Sequence, residues 1–453
     1  MKNFSLTLVA SLFCVFSYSQ QKDETTKSIP VPIVYSGVTG RLDEYREPAG
    51  TVNEVVKSEK IGYHPKDDWV VNENPNPADK LDSPDAALQL DYPPAAPPTR
   101  ALTSNWNGMG YTGVNPADPS VDVGPNHVVQ MINGGSGSYI QVYNKTGTPQ
   151  GGQVYFDNFM GMAGGAGDPI VLYDERADRW FLSEFSASGN NLHIAISQTA
   201  DPGGSYYTYV FNSPGGFPDY PKYSIWENEY IMTANVNTPD VFAFNRTDLL
   251  AGTATPAQMF NQSNFGTIGF QASTPVSMNG TALPPSGQPA LLMRMRDNSW
   301  TGAATDALEM WELTIDWATP GNSGLAQVQT IGITPHESHL CGYTSFSCFD
   351  QPGGGADLDP LRELLMNRIH YRNFGTHESI VCCHVTDVDG TDRGGMRWYE
   401  LRRTGGVSGT WSIYQESTYS PDTDNRWMGS IGISESGNIG LAYSVSSTTT
   451  YPS

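Results

Sequence analysis

From Asn105 onward the apolar residues come in short runs, among them VVQMI, YIQVYN, IVLYD, WFLSEF, LHIAIS, YIMTAN, VFAFN, ALLMRM, LEMWELTI, MRWYELRR and IGLAYS. Gly, Pro, Asn and Asp separate them. Runs of about four to eight residues, rich in β-branched and aromatic side chains and bounded by turn residues, predict antiparallel β-strands. One stretch reads differently: after the Asp359-Pro360 start signal, Leu361, Leu364 and Leu365 share a helical face, which predicts a helix over Leu358–Met366.

A weak repeat organises the strands. DPSVDVGPNHVVQM starts at Asp118, DPIVLYDERADRWFLSEF at Asp168 and DYPKYSIWENEYIMTAN at Asp219, so the starts lie 50 and 51 residues apart. Each opens on Asp with an early Pro, then runs strand, polar turn, strand. A similar hairpin, RWMGSIGISESGNIGLAYS, begins at Arg426, 207 residues after Asp219, about four more units of that pitch. Such a period fits the blades of a propeller, in which each small sheet covers both apolar faces against its neighbours. The expectation is an all-β chain forming a β-propeller of about six or seven four-stranded blades. A pair of β-sandwiches is the rival. The last blade reads as unfinished, because the sequence reaches YPS soon after that hairpin's second strand. Its missing strands come either from the segment before Asn105 or from a longer protein of which this is a truncated version.

The first 19 residues carry Lys2, an apolar run from Phe4 to Phe16, and Ser17 and Ser19 flanking Tyr18. This is the pattern of a signal peptide cleaved before Gln20. No later run approaches the roughly 18 apolar residues of a membrane span. Residues 20–104, with ENPNPADKLDSPD and YPPAAPPTR, read as an extended Pro/Asp/Asn-rich segment or linker from which patches such as PVPIVYSG could pair with the main domain. Residues 105–453 form the propeller domain.

The motifs DPSVDVGPNHVVQMIN, GDPIVLYDERADRWFLSEF, FPDYPKYSIWENEYIMTAN, MNRIHYRNFGTHESIV and RWMGSIGISESGNIGLAYS together resemble large exported bacterial proteins with propeller-like repeats, over most of the chain from about Asn115. The resemblance implies fold and export and supplies no catalytic residues. Similarity to sialidases is poor: the nearest match to their Asp-box, TGGVSGTW from Thr404 to Trp411, has Gly406 where the aspartate belongs and Ser408 in place of the glycine.

Without its leader the chain loses Lys2 and keeps 24 basic against 47 acidic residues, a net charge of −23. A surface of that sign repels phosphate backbones, which argues against nucleic acid as partner, and attracts cations, calcium first for an exported protein. The scarce arginines cluster. Arg294 and Arg296 share one strand face, and Arg368, His370 and Arg372 share another. Either row could clamp a carboxylate or sulfate bidentately, or pair with acidic residues of neighbouring blades. Asp387, Asp389 and Asp392 in DVDGTD are candidate calcium ligands that depart from the EF-hand pattern. HESH (His336–His339) and THES (Thr376–Ser379) are fragments of metal motifs without the HExxH spacing and read as structural. Cys341 and Cys348 are expected to close CGYTSFSC by a disulfide, and Cys382 and Cys383 point to opposite faces. Asp174, Glu175, Asp178, Glu184, Glu309 and Glu312 are carboxylates of the type that glycoside hydrolysis needs, with no pairing that sequence can assign. The reading is a secreted or cell-surface propeller that binds a polysaccharide or protein without catalysis. Its alternative is an exported carbohydrate-active enzyme, a glycoside hydrolase or polysaccharide lyase.

Overall fold

The structure, a computed structural model, describes residues 25–46, 84–90, 104–186, 189–235, 240–263, 273–300, 302–341 and 347–452. The expected signal peptide, residues 1–19, lies outside them. The chain opens with three short strands, β1 (Thr26–Lys27), β2 (Ile29–Val31) and β3 (Ile33–Val38). Five antiparallel meanders follow. The first is β4 (Ser120–Val123), β5 (His127–Gly134), β6 (Gly137–Asn144) and β7 (Val154–Tyr155), and a short helix α1 (Phe156–Met160) leads out of it. The second is β8 (Gly165–Asp174), β9 (Arg179–Ser186), β10 (Asn191–Ser197) and β11 (Tyr206–Asn212). The third is β12 (Asp219–Ile225), β13 (Glu229–Asn235), β14 (Asp240–Asn245) and β15 (Ala257–Asn261), with α2 (Arg246–Leu250) before its last strand. The fourth is β16 (Thr274–Met278), β17 (Ala290–Arg296), β18 (Ala307–Thr314) and β19 (Gly324–Gly332). The fifth is β20 (Ile369–Asn373), β21 (Glu378–Asp387), β22 (Gly394–Arg403) and β23 (Ser412–Tyr419), and a hairpin of β24 (Asn425–Ile433) and β25 (Ile439–Ser446) packs against it.

The chain is therefore all-β, and its first strands neighbour one another in order, β4 beside β8, β8 beside β12, β12 beside β16, β16 beside β20. These strands run the same way. Ser120 Oγ accepts from the Val171 N–H (3.0 Å) while Asp122 Oδ2 accepts from the Tyr173 N–H (2.8 Å), so both chains advance together. Val276–Met278 pair in parallel register with Ile369–Tyr371. Successive meanders set with their first strands side by side form a β-propeller arrangement. We call the end where first strands finish the mouth and the end where they begin the base.

The continuous apolar runs follow from two-sided burial. Along β8, Val171 enters the core between the first and second sheets, whereas Ile170 and Leu172 enter the core between the second and third. On β9, Trp180 and Leu182 go one way and Phe181 the other. Each fully buried side chain of this size contributes roughly 1.5–3 kcal/mol. The recurring Asp-Pro has a backbone meaning as well. Asp118, Asp168 and Tyr220, each just before a proline, have φ of 41°, 49° and 53°. Near the last two the ladder slips register, between Gly167 and Ile170 and between Asp219 and Lys222, so the signature marks a left-handed bulge where a first strand starts.

Two expectations are corrected. Leu358–Met366 is not a helix: Leu358 bridges Phe349, Leu361 is left-handed (φ 50°), and Leu365 enters one core while Leu364 and Met366 enter another. An irregular stretch with a turn at 362–364 sends neighbours to different cores, which a single helical face does not. The stretch from Asp219 to Arg426 also holds three units rather than about four, with first strands starting at Asp219, Thr274 and Ile369. The extra length is the irregular passage between β19 and β20 that contains the Cys341–Cys348 disulfide.

The N-terminal strands form a strap over outer edges. β1 pairs with β19, β2 with β15 and β3 with β11, so one extended segment caps the fourth, third and second sheets in turn. Residues 84–90 cover the fifth: Leu88 bridges Thr418, and Asp85 meets Arg397 at 2.8 Å, both side chains fully buried.

A second buried pair joins sheets. Arg246 donates to both oxygens of Asp174 (2.6 and 2.8 Å), and the Tyr230 hydroxyl donates to the same carboxylate (2.9 Å). Removing one member of such a pair strands the other charge. Asp174→Ala is expected to lower stability by about 3–5 kcal/mol, read from the urea midpoint; a loss below about 1 kcal/mol would show that the pair does not tie the second sheet to the third.

Candidate functional site

At the mouth, the ends of β4, β8, β12 and β16 surround a cavity of about 140 Å³ that Arg368 and His370 of the fifth sheet complete. Arg368 reaches across the axis. Its Nη2 donates to Asp122 Oδ2 at 2.8 Å and lies 3.5 Å from the Val171 carbonyl, so one side chain links the fifth, first and second sheets. Asp122 is held by its own neighbour too, through the Tyr173 N–H. Among the described residues, Nε and Nη1 of Arg368 have no hydrogen-bond partner. Glu175 stands exposed on the rim, where its Oε2 accepts from the Gly280 N–H at 3.0 Å.

Asn279 organises the other side. Its Oδ1 accepts from Arg372 Nη2 (3.0 Å) and its Nδ2 donates to the Ile433 carbonyl (3.1 Å), which fixes the amide orientation. The same Nδ2 lies 3.0 Å from His370 Nδ1. That ring nitrogen therefore accepts, and the proton sits on Nε2. Burial, with Arg368 and Arg372 nearby, lowers the imidazole to about 4, against the opposing pull of Asp122. The cavity wall thus combines a neutral imidazole and a guanidinium with the carboxylates of Asp122 and Glu175. Such a mixed set suits hydroxyl groups, which both donate and accept, more than a lone anion, because Asp122 already neutralises Arg368.

Of the row Arg368, His370 and Arg372 that alternation places on one strand face, Arg368 and His370 line this cavity, whereas Arg372 reaches only Asn279 in its wall. Sequence reasoning missed Asp122 and Asn279, which come from other sheets; only the repeat, which places Asp122 four residues after Asp118, hinted at the first. Arg294 and Arg296 lie elsewhere. Arg294 makes two hydrogen bonds to Glu309 Oε2 (2.9 and 2.7 Å) on the adjacent strand, and Arg296 bonds Thr305 and approaches Glu309 Oε1 at 3.7 Å. Asp387 is buried and accepts N–H bonds from Asp389, Gly390 and Asp392, while Asp389 pairs with Arg393 at 2.7 Å. Asp387 thus turns its oxygens onto the loop's own N–H groups, while Asp392 Oδ1 is buried without a hydrogen-bond partner. Of the remaining carboxylates, Asp178 accepts from the Tyr173 hydroxyl (2.6 Å) and Glu312 from Gln288 (3.2 Å). Glu184 is buried beside Asp157, and the two together push its carboxyl well above the usual range, burial being the larger cause. In THES, Glu378 accepts from Arg403 and the Tyr371 hydroxyl inside the fifth sheet. Cys382 and Cys383 are both buried thiols, in different cores. Most indoles are buried as well: Trp180, Trp226, Trp300, Trp311, Trp411 and Trp427. Trp398 instead lines a shallow groove of about 460 Å³ with Tyr419 and Tyr443, between the fifth sheet and the last hairpin.

The low His370 value ties the site to stability. A depressed imidazole stays neutral in the folded chain until the pH falls to about 4, whereas the unfolded chain takes its proton near 6.5. Folding stability is therefore lost as pH drops through that interval, by at most roughly 1.4 kcal/mol per pH unit from this one group. His370→Gln removes the group, so the stability of the variant relative to the parent is expected to improve between pH 7 and pH 5. Equal pH slopes in urea unfolding would contradict the assignment.

No family model matches the chain, and no curated protein sequence matches it. Among solved structures it is similar to an endo-arabinase from Bacteroides thetaiotaomicron VPI-5482 (13% identity, 63% of this chain and 92% of that chain, TM-score 0.32). It is similar as well to a thermostable family-43 glycoside hydrolase (12% identity, 68% and 94%, TM-score 0.33). A third is a candidate 6-phosphogluconolactonase from Bacteroides fragilis NCTC 9343 (9% identity, 75% and 83%, TM-score 0.37). At scores of this size the fold rests on this chain's own sheet order and strand neighbours.

Proposed function

We propose that the protein is an exported β-propeller whose mouth cavity receives one sugar unit of a polysaccharide. The observation that carries this reading is the mixture of donor and acceptor residues lining one axial cavity: Arg368 paired with Asp122, together with His370 and Glu175. The volume, about 140 Å³, is well below the roughly 300–1,000 Å³ of sites for drug-sized ligands and suits a single ring or chain end. The five meanders and the last hairpin are read as blades around the axis that Arg368 crosses. The N-terminal apolar leader and the acidic composition agree with export.

Hydrolysis is the second reading. Asp122 and Glu175 supply two carboxylates to the same cavity, the minimum for a glycosidase. Glycoside hydrolysis is also the activity named for the family-43 structure. In that case Glu175, exposed on the rim, would exchange protons with a leaving group, and Asp122 would be the second carboxylate, held in place by Arg368.

A neutral and acidic glycan panel, assayed for both affinity and new reducing ends, separates the two. Saturable binding without product supports a binding propeller; product formation that Glu175→Gln reduces by a hundredfold or more supports the hydrolase. Arg368→Ala combined with His370→Ala is expected to weaken binding at least tenfold in a folded protein. Unchanged binding in that double variant, or binding lost only on Trp398→Ala, would move the site away from the mouth.

A further inference from the structure

We propose that Asp297, Asp306 and His336 bind a divalent transition metal ion, with Zn²⁺ as the reference ion, at the base of the fourth sheet. The HESH stretch that linear spacing rejects as a metal motif supplies one ligand. The connection from β17 to β18 supplies the other two.

One carboxylate oxygen from each aspartate and one ring nitrogen of His336 all lie within 4.8 Å of one another, and all three residues are buried. His336 Nδ1 stands 3.7 Å from Asp306 Oδ1. That is too long for a hydrogen bond, and close to the roughly 3.3–3.6 Å that separates two ligands on a tetrahedral ion with bonds of about 2.0–2.2 Å. The His336 side chain has no exposed surface, and neither of its ring nitrogens makes a hydrogen bond. An imidazole left so is costly unless something fills the place of the missing partner. Burial, reinforced by the charge of Arg397, holds it neutral with its pKa down at about 3, the form that ligates a metal. Arg397 does not stand in for the cation, because Asp85 and Glu416 already engage it at 2.8 and 2.9 Å.

The carboxylates are aimed. Asp297 accepts from the Ser299 N–H (2.7 Å), the Ser338 N–H (2.7 Å) and the Ser338 hydroxyl (2.8 Å), and Ser338 Oγ accepts from the Trp300 indole (3.1 Å). Asp306 accepts from the Asn298 N–H at 2.9 Å. Outer hydrogen bonds of this kind orient metal ligands. Two carboxylates with one imidazole in a closed space favour zinc-like ions over calcium, which takes six to eight oxygens. The other buried cluster with the same residue types, Asp157, Glu184 and His193, differs in one respect. There His193 Nδ1 bonds Asp157 Oδ1 directly at 2.7 Å, so a proton occupies the place an ion would take.

The test uses the full chain, stripped with chelator and re-equilibrated with Zn²⁺, then assayed for bound metal and thermal shift. One equivalent per chain is expected. Asp306→Asn and His336→Gln should abolish it, Ser338→Ala should weaken it about 10–100-fold, and Asp157→Asn should leave it unchanged. For variants that do not fold, the parent loaded with Co²⁺ provides a separate readout, the intense visible bands of a tetrahedral site with an imidazole ligand. No Zn²⁺ uptake by the folded parent, uptake indifferent to Asp306→Asn and Ser338→Ala, or octahedral Co²⁺ bands overturns the proposal.

Discussion

Every interior sheet of this protein has two apolar faces, and neither can be left to water. Adjacent residues on one strand therefore belong to different cores, as Val171 and Leu172 do on β8 or Cys382 and Cys383 on β21. The constraint explains the composition of the strands: runs of unbroken apolar residues rather than alternation, with no face free for charge. It explains the serial layout too, since a sheet stacked on only one neighbour still exposes its other side.

Charged groups are then confined to edges, ends and pairs. With only 25 basic residues against 47 acidic ones, the chain places several arginines where each holds a buried carboxylate. Arg246 grips Asp174 between sheets, Arg294 grips Glu309 across one ladder, Arg403 grips Glu378, and Arg397 fastens Asp85. Arg368 is used differently. It too has a carboxylate, Asp122, but it crosses the axis and keeps donors in reserve, and that makes the mouth a candidate site rather than one more clamp.

Strand content and the order of the first three units were legible, because two-sided burial writes itself into local runs and each of these units opens on a left-handed residue just before a proline. The row Arg368, His370, Arg372 was legible for a similar reason: alternation along one strand needs no knowledge of its neighbours. What depends on distant partners was not. The Leu-rich stretch at Leu361–Leu365 carries a helical spacing, yet two cores compete for its side chains and hold it in a turn rather than a helix. Asp122 and Asn279 converge on the cavity from sheets far apart in sequence. His336 looked inert because its companions lie 30 and 39 residues upstream in a hairpin that spacing rules do not search.

The strap has a kinetic side. Thr26 bonds the carbonyl of Leu325, 299 residues further along, while β2 and β3 meet partners in the third and second sheets, nearer in sequence but still more than 150 residues away. Segments made first at the ribosome thus have nothing to join until most of the chain has emerged, and closing loops of that size slows folding. Until then the outer strands of three sheets carry open rows of N–H and C=O groups, the kind of edge that recruits other chains. Pro30 and Pro32, which lack an N–H, sit in the strap itself, so its own free side offers little for another strand to copy. A piece of chain that contributes little apolar bulk is in this way what separates a finished particle from a sticky one.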